Sequence, residues 1–207
     1  MNPRFNRRTL LKISPITLAS FVLATCSRSA SDSTLHSSAT PSTDRSELSL
    51  TPTCGDDPTP PQTEGPFYTP DSPERRSLLE PDLPGTPIII TGQVLSSQCV
   101  PIEGALVDVW HTNAQGEYDN EGYTFRGHQF TDTDGRYWIE TIIPGLYPGR
   151  TRHIHIKIQA PHQPVLTTQL YFPEEPANQS DFLFNPELLM EIDDTSEDKR
   201  AAFNVVV

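Results

Sequence analysis

Residues 152–159 read Arg-His-Ile-His-Ile-Lys-Ile-Gln, a strict alternation of apolar and polar side chains. Only a β-strand with one face buried satisfies that pattern, because successive side chains on a strand point to opposite faces. Ile154, Ile156 and Ile158 fall on the core side. His153, His155, Lys157 and Gln159 fall on the other side.

The chain from Pro87 onward repeats this signal in short pieces. Pro87–Leu95 carries Ile88-Ile89-Ile90 and Gln93-Val94-Leu95, and reads as a buried strand. Ser96-Ser97-Gln98 is a turn. Ala105–Trp110 is a strand, with Ala105, Val107 and Val109 on one face and Leu106, Asp108 and Trp110 on the other. Thr133-Asp134-Gly135 is a hairpin turn between strands at His128–Thr131 and Arg136–Ile142. Val165–Phe172 and Phe203–Val207 complete the set. Asn185-Pro186 has a cap and then Pro at a first helical position, so one short helix is expected there. Short strands separated by Gly and Pro turns predict an all-β fold: a single β-sandwich domain with long loops and little helix.

The first 62 residues are of another kind. Arg4, Arg7, Arg8 and Lys12 precede Cys26, and no acidic residue does. Asn6–Lys12 resembles a twin-arginine export motif, and a short apolar stretch from Ile13 to Ala24 follows, too short and polar for a comfortable membrane span. Leu23-Ala24-Thr25-Cys26 resembles a bacterial lipoprotein cleavage box, which would lipidate Cys26; plain signal-peptide cleavage is the alternative. Residues 1–26 are therefore expected to be an export signal, making the protein periplasmic, membrane-anchored or extracellular. Residues 27–62 are rich in Ser, Thr, Pro and Asp and cannot bury enough surface to offset their ordering entropy, so they read as a linker. The folded domain is expected over 63–207. Without residues 1–26, 11 basic residues face 27 acidic ones, a net charge of about -16. A surface that acidic repels phosphate backbones, which sets nucleic-acid binding aside. In an oxidising compartment the remaining pair, Cys54 and Cys99, either forms a disulfide or stays as two thiols.

Two imidazoles two residues apart on one strand face stand ~6–7 Å apart at the backbone, close enough to converge on one metal ion. The same pattern is also compatible with the wet face of an edge strand. Tyr147 lies in the turn-rich run Pro144–Gly149 that enters the histidine strand. Tyr118 follows the turn Asn113–Glu117 just after Trp110-His111. Neither tyrosine alone points to chemistry.

As an ordered set these segments resemble a known family. Gly104–His111 through Gly116-Glu117-Tyr118, Thr131–Tyr137 through Ile143–Pro148, and Arg150–His155 resemble three successive signatures of the intradiol ring-cleavage dioxygenases. Thr63–Tyr68 and Thr168–Pro173 are similar to family sequence as well. The resemblance implies a non-haem ferric ion held by Tyr118, Tyr147, His153 and His155, with Tyr147 as the ligand that leaves and takes a substrate proton. It implies an active-site arginine at Arg150, and a catechol-type substrate cleaved by O2 to a muconate-type diacid. Gly65-Pro66-Phe67-Tyr68 would wall the substrate pocket, with Pro66 and Tyr68 as candidate substrate contacts, and Gln169 would sit near the ring. The family often forms dimers or larger assemblies, so a homo-oligomer is possible. His111, His128 and His162 match no family role. A non-catalytic exported β-sandwich binding module, carbohydrate-binding or transthyretin-like, shares the turn and core pattern of residues 104–147. It has no reason to place two histidines beside two tyrosines.

Overall fold

The computed structural model describes residues 57–193, 195 and 199–207. Residues 1–26, the cysteines Cys26 and Cys54, and the linker before Asp57 lie outside the described residues. Nine strands follow: β1 (Pro87–Leu95), β2 (Leu106–Trp110), β3 (Arg126–Phe130), β4 (Arg136–Ile142), β5 (His153–Gln159), β6 (Leu166–Tyr171), β7 (Glu191–Asp193), β8 (Arg200–Ala202) and β9 (Val205–Val206). One sheet runs β4-β1-β8-β7, with β9 also pairing β1; the other runs β3-β2-β5-β6.

The core lies between the two sheets. Ile88 and Ile90 of β1 and Tyr137 and Ile139 of β4 meet Val107 and Val109 of β2 and Ile154, Ile156 and Ile158 of β5. The three isoleucines of β5 are fully buried, each contributing roughly 1.5–3 kcal/mol by leaving water. Their burial fixes the register, because a slip of one residue would turn the isoleucines outward and the histidines into the core.

The turn at Thr133-Asp134-Gly135 does not make a hairpin, contrary to the sequence expectation. The Asp132 carboxylate caps it, accepting from the amides of Asp134 and Arg136 at 3.0 and 2.8 Å. The strands then part into different layers: β3 pairs β2, and β4 pairs β1. The Gln129 side chain spans the gap, donating to the Trp138 carbonyl at 2.7 Å and accepting from its amide at 3.2 Å. Turn chemistry is the same whether the flanking strands pair or diverge. The helix expected at Asn185 is a single 3-10 turn, Pro186–Leu188, with Asn185 capping as anticipated. Of the last strand expected over Phe203–Val207 only Val205–Val206 forms, as β9, and β8 at Arg200–Ala202 lies just before that range.

The segment before β1 closes one side of the sandwich. Arg75 donates its amide to His128 of β3 and Leu78 donates to Glu140 of β4, so the run covers the edge of both sheets. Ordered pairing starts earlier than composition suggests. The amide of Thr59 donates to Val206 at 2.9 Å and that of Gln62 to Thr167 at 2.8 Å.

Candidate metal centre

Strand register sets the site. Arg126 of β3, Trp110 of β2, His155 of β5 and Gln169 of β6 are successive partners, so they form one row on the outer face of the sheet. β5 lies inside this sheet, not at its edge. His153 and His155 are only 5% and 3% exposed, which removes the reading of a wet face. Nδ1 of His153 lies 2.7 Å from the Thr151 carbonyl. A carbonyl only accepts, so Nδ1 carries the proton and Nε2 is left with its lone pair. The His155 ring stacks on Trp110, with centroids 4.6 Å apart. Burial pushes His153 down to about 4 and His155 well below the usual imidazole range. Both are therefore neutral ligand-type imidazoles at neutral pH.

The tyrosines arrive on two loops locked together. Asn113 organises the first, its side chain accepting from the amides of Gln115 and Glu117. The second crosses it so closely that a Cβ on Gly145 would lie 2.3 Å from the Gly116 nitrogen. The Gly145 amide donates to Asn113 at 2.8 Å, and the Thr112 hydroxyl donates to the Gly145 carbonyl at 2.9 Å. Two residues beyond each glycine, the rings of Tyr118 and Tyr147 stand 5.8 Å apart.

The Tyr118 phenol oxygen lies 3.1 Å from Nε2 of His155 and 3.3 Å from Nε2 of His153. The phenol proton can serve only one of these nitrogens, so the second contact needs either a proton on Nε2 of His155 or a cation shared by all three atoms. Nδ1 of His155 is buried and has no hydrogen-bond partner among the described residues. Three buried nitrogen and oxygen donors converge at this point, and with the phenol ionised their lone pairs suit a cation. Burial pushes the Tyr118 phenol well above its usual range, against the pull of Arg150 and Arg126, so an anionic phenolate there calls for a metal-type charge. Among the described residues no cluster of three His, Cys, Asp or Glu side chains offers another site. Arg150 completes the constellation. Its Nε donates to both oxygens of Asp181 at 3.1 and 2.9 Å, and its Nη2 donates to Gln169 at 2.7 Å. Burial opposes the charge of Asp181, but the amides of Leu183 and Thr151 and the Arg150 guanidinium outweigh it and hold the carboxyl below its usual range.

A family model described as Dioxygenase matches residues 63–206, which is most of the chain and includes every residue just placed. The chain belongs to the intradiol ring-cleavage dioxygenases. A solved dioxygenase domain from a carbohydrate-binding fusion protein of the cellulolytic Streptomyces sp. SirexAA-E is similar at 52% identity and a TM-score of 0.71, over 73% of this chain and 98% of that one. An intradiol ring-cleavage dioxygenase from Tetranychus urticae is similar at 26% identity and a TM-score of 0.66, over 72% of this chain and 94% of that one. Among curated proteins, the hydroxyquinol 1,2-dioxygenase of Rhizobium sp. (strain MTP-10005) is 30% identical over 58% of this chain and 50% of its own length. The protocatechuate 3,4-dioxygenase beta chain of Burkholderia cepacia is 34% identical over 48% and 50%. The chain thus spans about half the length of the curated relatives it matches.

Of the residues the dioxygenase signatures single out, Tyr118, His153 and His155 meet directly, Tyr147 stands beside them, and Arg150 and Gln169 pair with each other. Gln169 is anchored from the other side, donating to the Thr63 carbonyl at 2.9 Å. Pro66 is exposed. Tyr68 turns away from the donor atoms: its hydroxyl donates to Asp108 at 2.9 Å and its ring packs on Trp110 at 4.8 Å. Phe67 faces the tyrosines instead, stacked on Tyr118 at 4.6 Å and edge-on to Tyr147 at 5.4 Å. Of the run Gly65–Tyr68, it is Phe67 that lies against the two tyrosines. Asp181 lies far from the motifs in sequence and carried no signal. Cys99 is disulfide-bonded. His111 is structural, buried with its Nε2 2.6 Å from the Thr141 hydroxyl.

Proposed function

We propose that this protein is an intradiol dioxygenase that opens a catechol-type ring between its two hydroxyl-bearing carbons. The reaction consumes one O2, places one oxygen atom in each new carboxyl group, and gives a muconate-type diacid. The observation that carries this reading is the meeting of both histidine Nε2 atoms on the Tyr118 oxygen, at 3.1 and 3.3 Å. Two phenolates and two neutral imidazoles suit a non-haem ferric ion. Ionising a free phenol at pH 7 costs roughly 4 kcal/mol, which a trivalent cation offsets and a softer zinc-type site with Cys, His and carboxylate ligands has no need to.

Bound by Tyr118, Tyr147, His153 and His155, ferric iron would supply Lewis-acid binding of the diol and a route for dioxygen into the ring. The chain's own side chains do the rest. Tyr147, half-buried on the second loop, takes a substrate proton at its phenolate oxygen. Phe67 walls the ring and sheds water from the tyrosines. Arg150, held by Asp181 and Gln169, places a fixed positive charge beside the site, where negative charge develops as the ring opens. The Thr151 carbonyl holds the His153 proton on Nδ1, away from the donor face.

The relatives' names span hydroxyquinol, catechol, chlorocatechol and protocatechuate, which supports a catechol-type diol as the substrate class. Export by the N-terminal signal belongs to the same proposal; cell fractionation tests it, and full-length protein confined to the cytoplasm would refute it. The function is tested by adding catechol to the iron-loaded protein without oxygen, then admitting ¹⁸O2. Uptake of two labelled atoms into a ring-opened diacid is the expected result. Unchanged catechol, and no turnover of hydroxyquinol, chlorocatechol or protocatechuate, would leave only a binding module.

A further inference from the structure

Arg126 opens β3, is 1% exposed, and has no carboxylate in ion-pair distance among the described residues. Burying an unpaired guanidinium is costly, so a chain that needed only a hydrogen-bond donor there would be served by a neutral side chain. Its Nε and Nη2 both donate to a single acceptor, the Asp119 carbonyl, at 3.1 and 2.6 Å. That carbonyl belongs to the residue immediately after Tyr118. Nη1 is buried without a partner among the described residues.

The loop between Tyr118 and Arg126 is built to hold this grip. The Asp119 carboxylate accepts from the amides of Glu121, Gly122 and Thr124 at 3.0, 2.8 and 3.0 Å. Phe125, the residue before Arg126, takes φ of 53° although it is a buried aromatic. A bulky side chain in the left-handed region is strained, and such strain persists only where the surroundings over-determine it. Arg75 adds a further tie, its Nε donating to the Arg126 carbonyl at 2.9 Å. Strand register sets Arg126 in the same row as Trp110 and His155. One end of the loop is therefore fixed to the histidine sheet, and the other carries the tyrosine.

We propose that Arg126 is a positioning residue for Tyr118: by gripping the Asp119 carbonyl it sets where the phenol oxygen meets the two histidines. This rests on the reading of Tyr118 as a metal ligand. A guanidinium suits the task because its fork is rigid and both prongs converge on one oxygen, which a lysine cannot reproduce.

The test compares full-length wild type with Arg126→Met and Arg126→Lys, each loaded with ferric iron. Circular dichroism reports folding, iron titration reports affinity, and the visible phenolate-to-iron band reports the geometry at Tyr118. The expected result is iron affinity weakened by about ten- to a hundred-fold, the range for lost outer-shell contacts, with a displaced band in Met and a smaller displacement in Lys. Should the Met variant not fold, the Lys variant carries the same reading. A folded variant with wild-type band and affinity, melting at a lower temperature, would overturn the proposal and leave Arg126 a loop-closing residue only. A wild type with no such band would instead refute the ligand reading of Tyr118, a separate failure.

Discussion

Gly145→Ala separates the two tyrosine loops without touching a ligand. The added Cβ would stand 2.3 Å from the Gly116 nitrogen, 2.6 Å from the Ala114 oxygen and 2.8 Å from the Ala114 carbonyl carbon. All three are backbone atoms, so no side chain can swing away. Restoring ordinary contact near ~3.4–4 Å requires the loops to part by about 1 Å. That motion strains the Gly145–Asn113 and Thr112–Gly145 hydrogen bonds, at roughly 0.5–1.5 kcal/mol each, so a stability loss of about 1–3 kcal/mol is expected. The functional loss is larger, because a misplacement of about 1 Å in a catalytic constellation costs on the order of a hundredfold. Urea denaturation of the iron-free protein measures the first, and catechol turnover at saturating iron measures the second. Gly149→Ala is the control. Gly149 has φ of 79° and nothing within 4 Å of a new Cβ, so it loses only the left-handed preference of about 1 kcal/mol and keeps its turnover. If Gly145→Ala matched Gly149→Ala in both assays, the loops would not be locked through these glycines.

Three further outcomes follow from particular contacts. Burial holds His111 down to about 4 in the folded protein, while the unfolded chain protonates near ~6.5, so stability is lost as pH falls through that window, by up to about 3 kcal/mol; His111→Gln should flatten the fall in urea midpoint between pH 7 and 4.5, and an unchanged slope would contradict this. Asp108 accepts from Ser72 at 2.8 Å and Tyr68 at 2.9 Å, so Asp108→Ala should cost about 2–4 kcal/mol in denaturation while iron binding stays intact. Phe67→Ala removes the ring stacked on Tyr118 and should raise KM for catechol by about tenfold, the scale of 1.4 kcal/mol of lost contact, with the resting visible band retained.

The parts of this protein that were legible in sequence are those set by local pattern. The isoleucines of β5 fixed its faces, and with them the direction of His153 and His155. β1 ran over Pro87–Leu95 as read, because its apolar run is bounded by turn residues on both sides. What stayed hidden depends on partners distant in sequence. The turn after Asp132 has hairpin chemistry, yet its strands diverge because β3 and β4 each find a better neighbour. Phe67 and Tyr68 are adjacent, and only the pull of Asp108 on the Tyr68 hydroxyl decides which of them faces the site. Asp181 and Arg126 act on the site through backbone atoms and a paired side chain, and neither carries a pattern that spacing would reveal. The candidate ligands stood out through the family resemblance instead: two tyrosines and two histidines in fixed order, with glycine turns between them.

Loading the full chain with ferric iron and exciting its visible absorption in a resonance Raman measurement tests the four-ligand centre most directly. Phenolate vibrations from two tyrosines are expected, reduced to one set in Tyr118→Phe or Tyr147→Phe, and lost along with the bound iron in a variant lacking both His153 and His155. Iron bound without any phenolate signature, or a spectrum unchanged by either tyrosine substitution, would contradict the account.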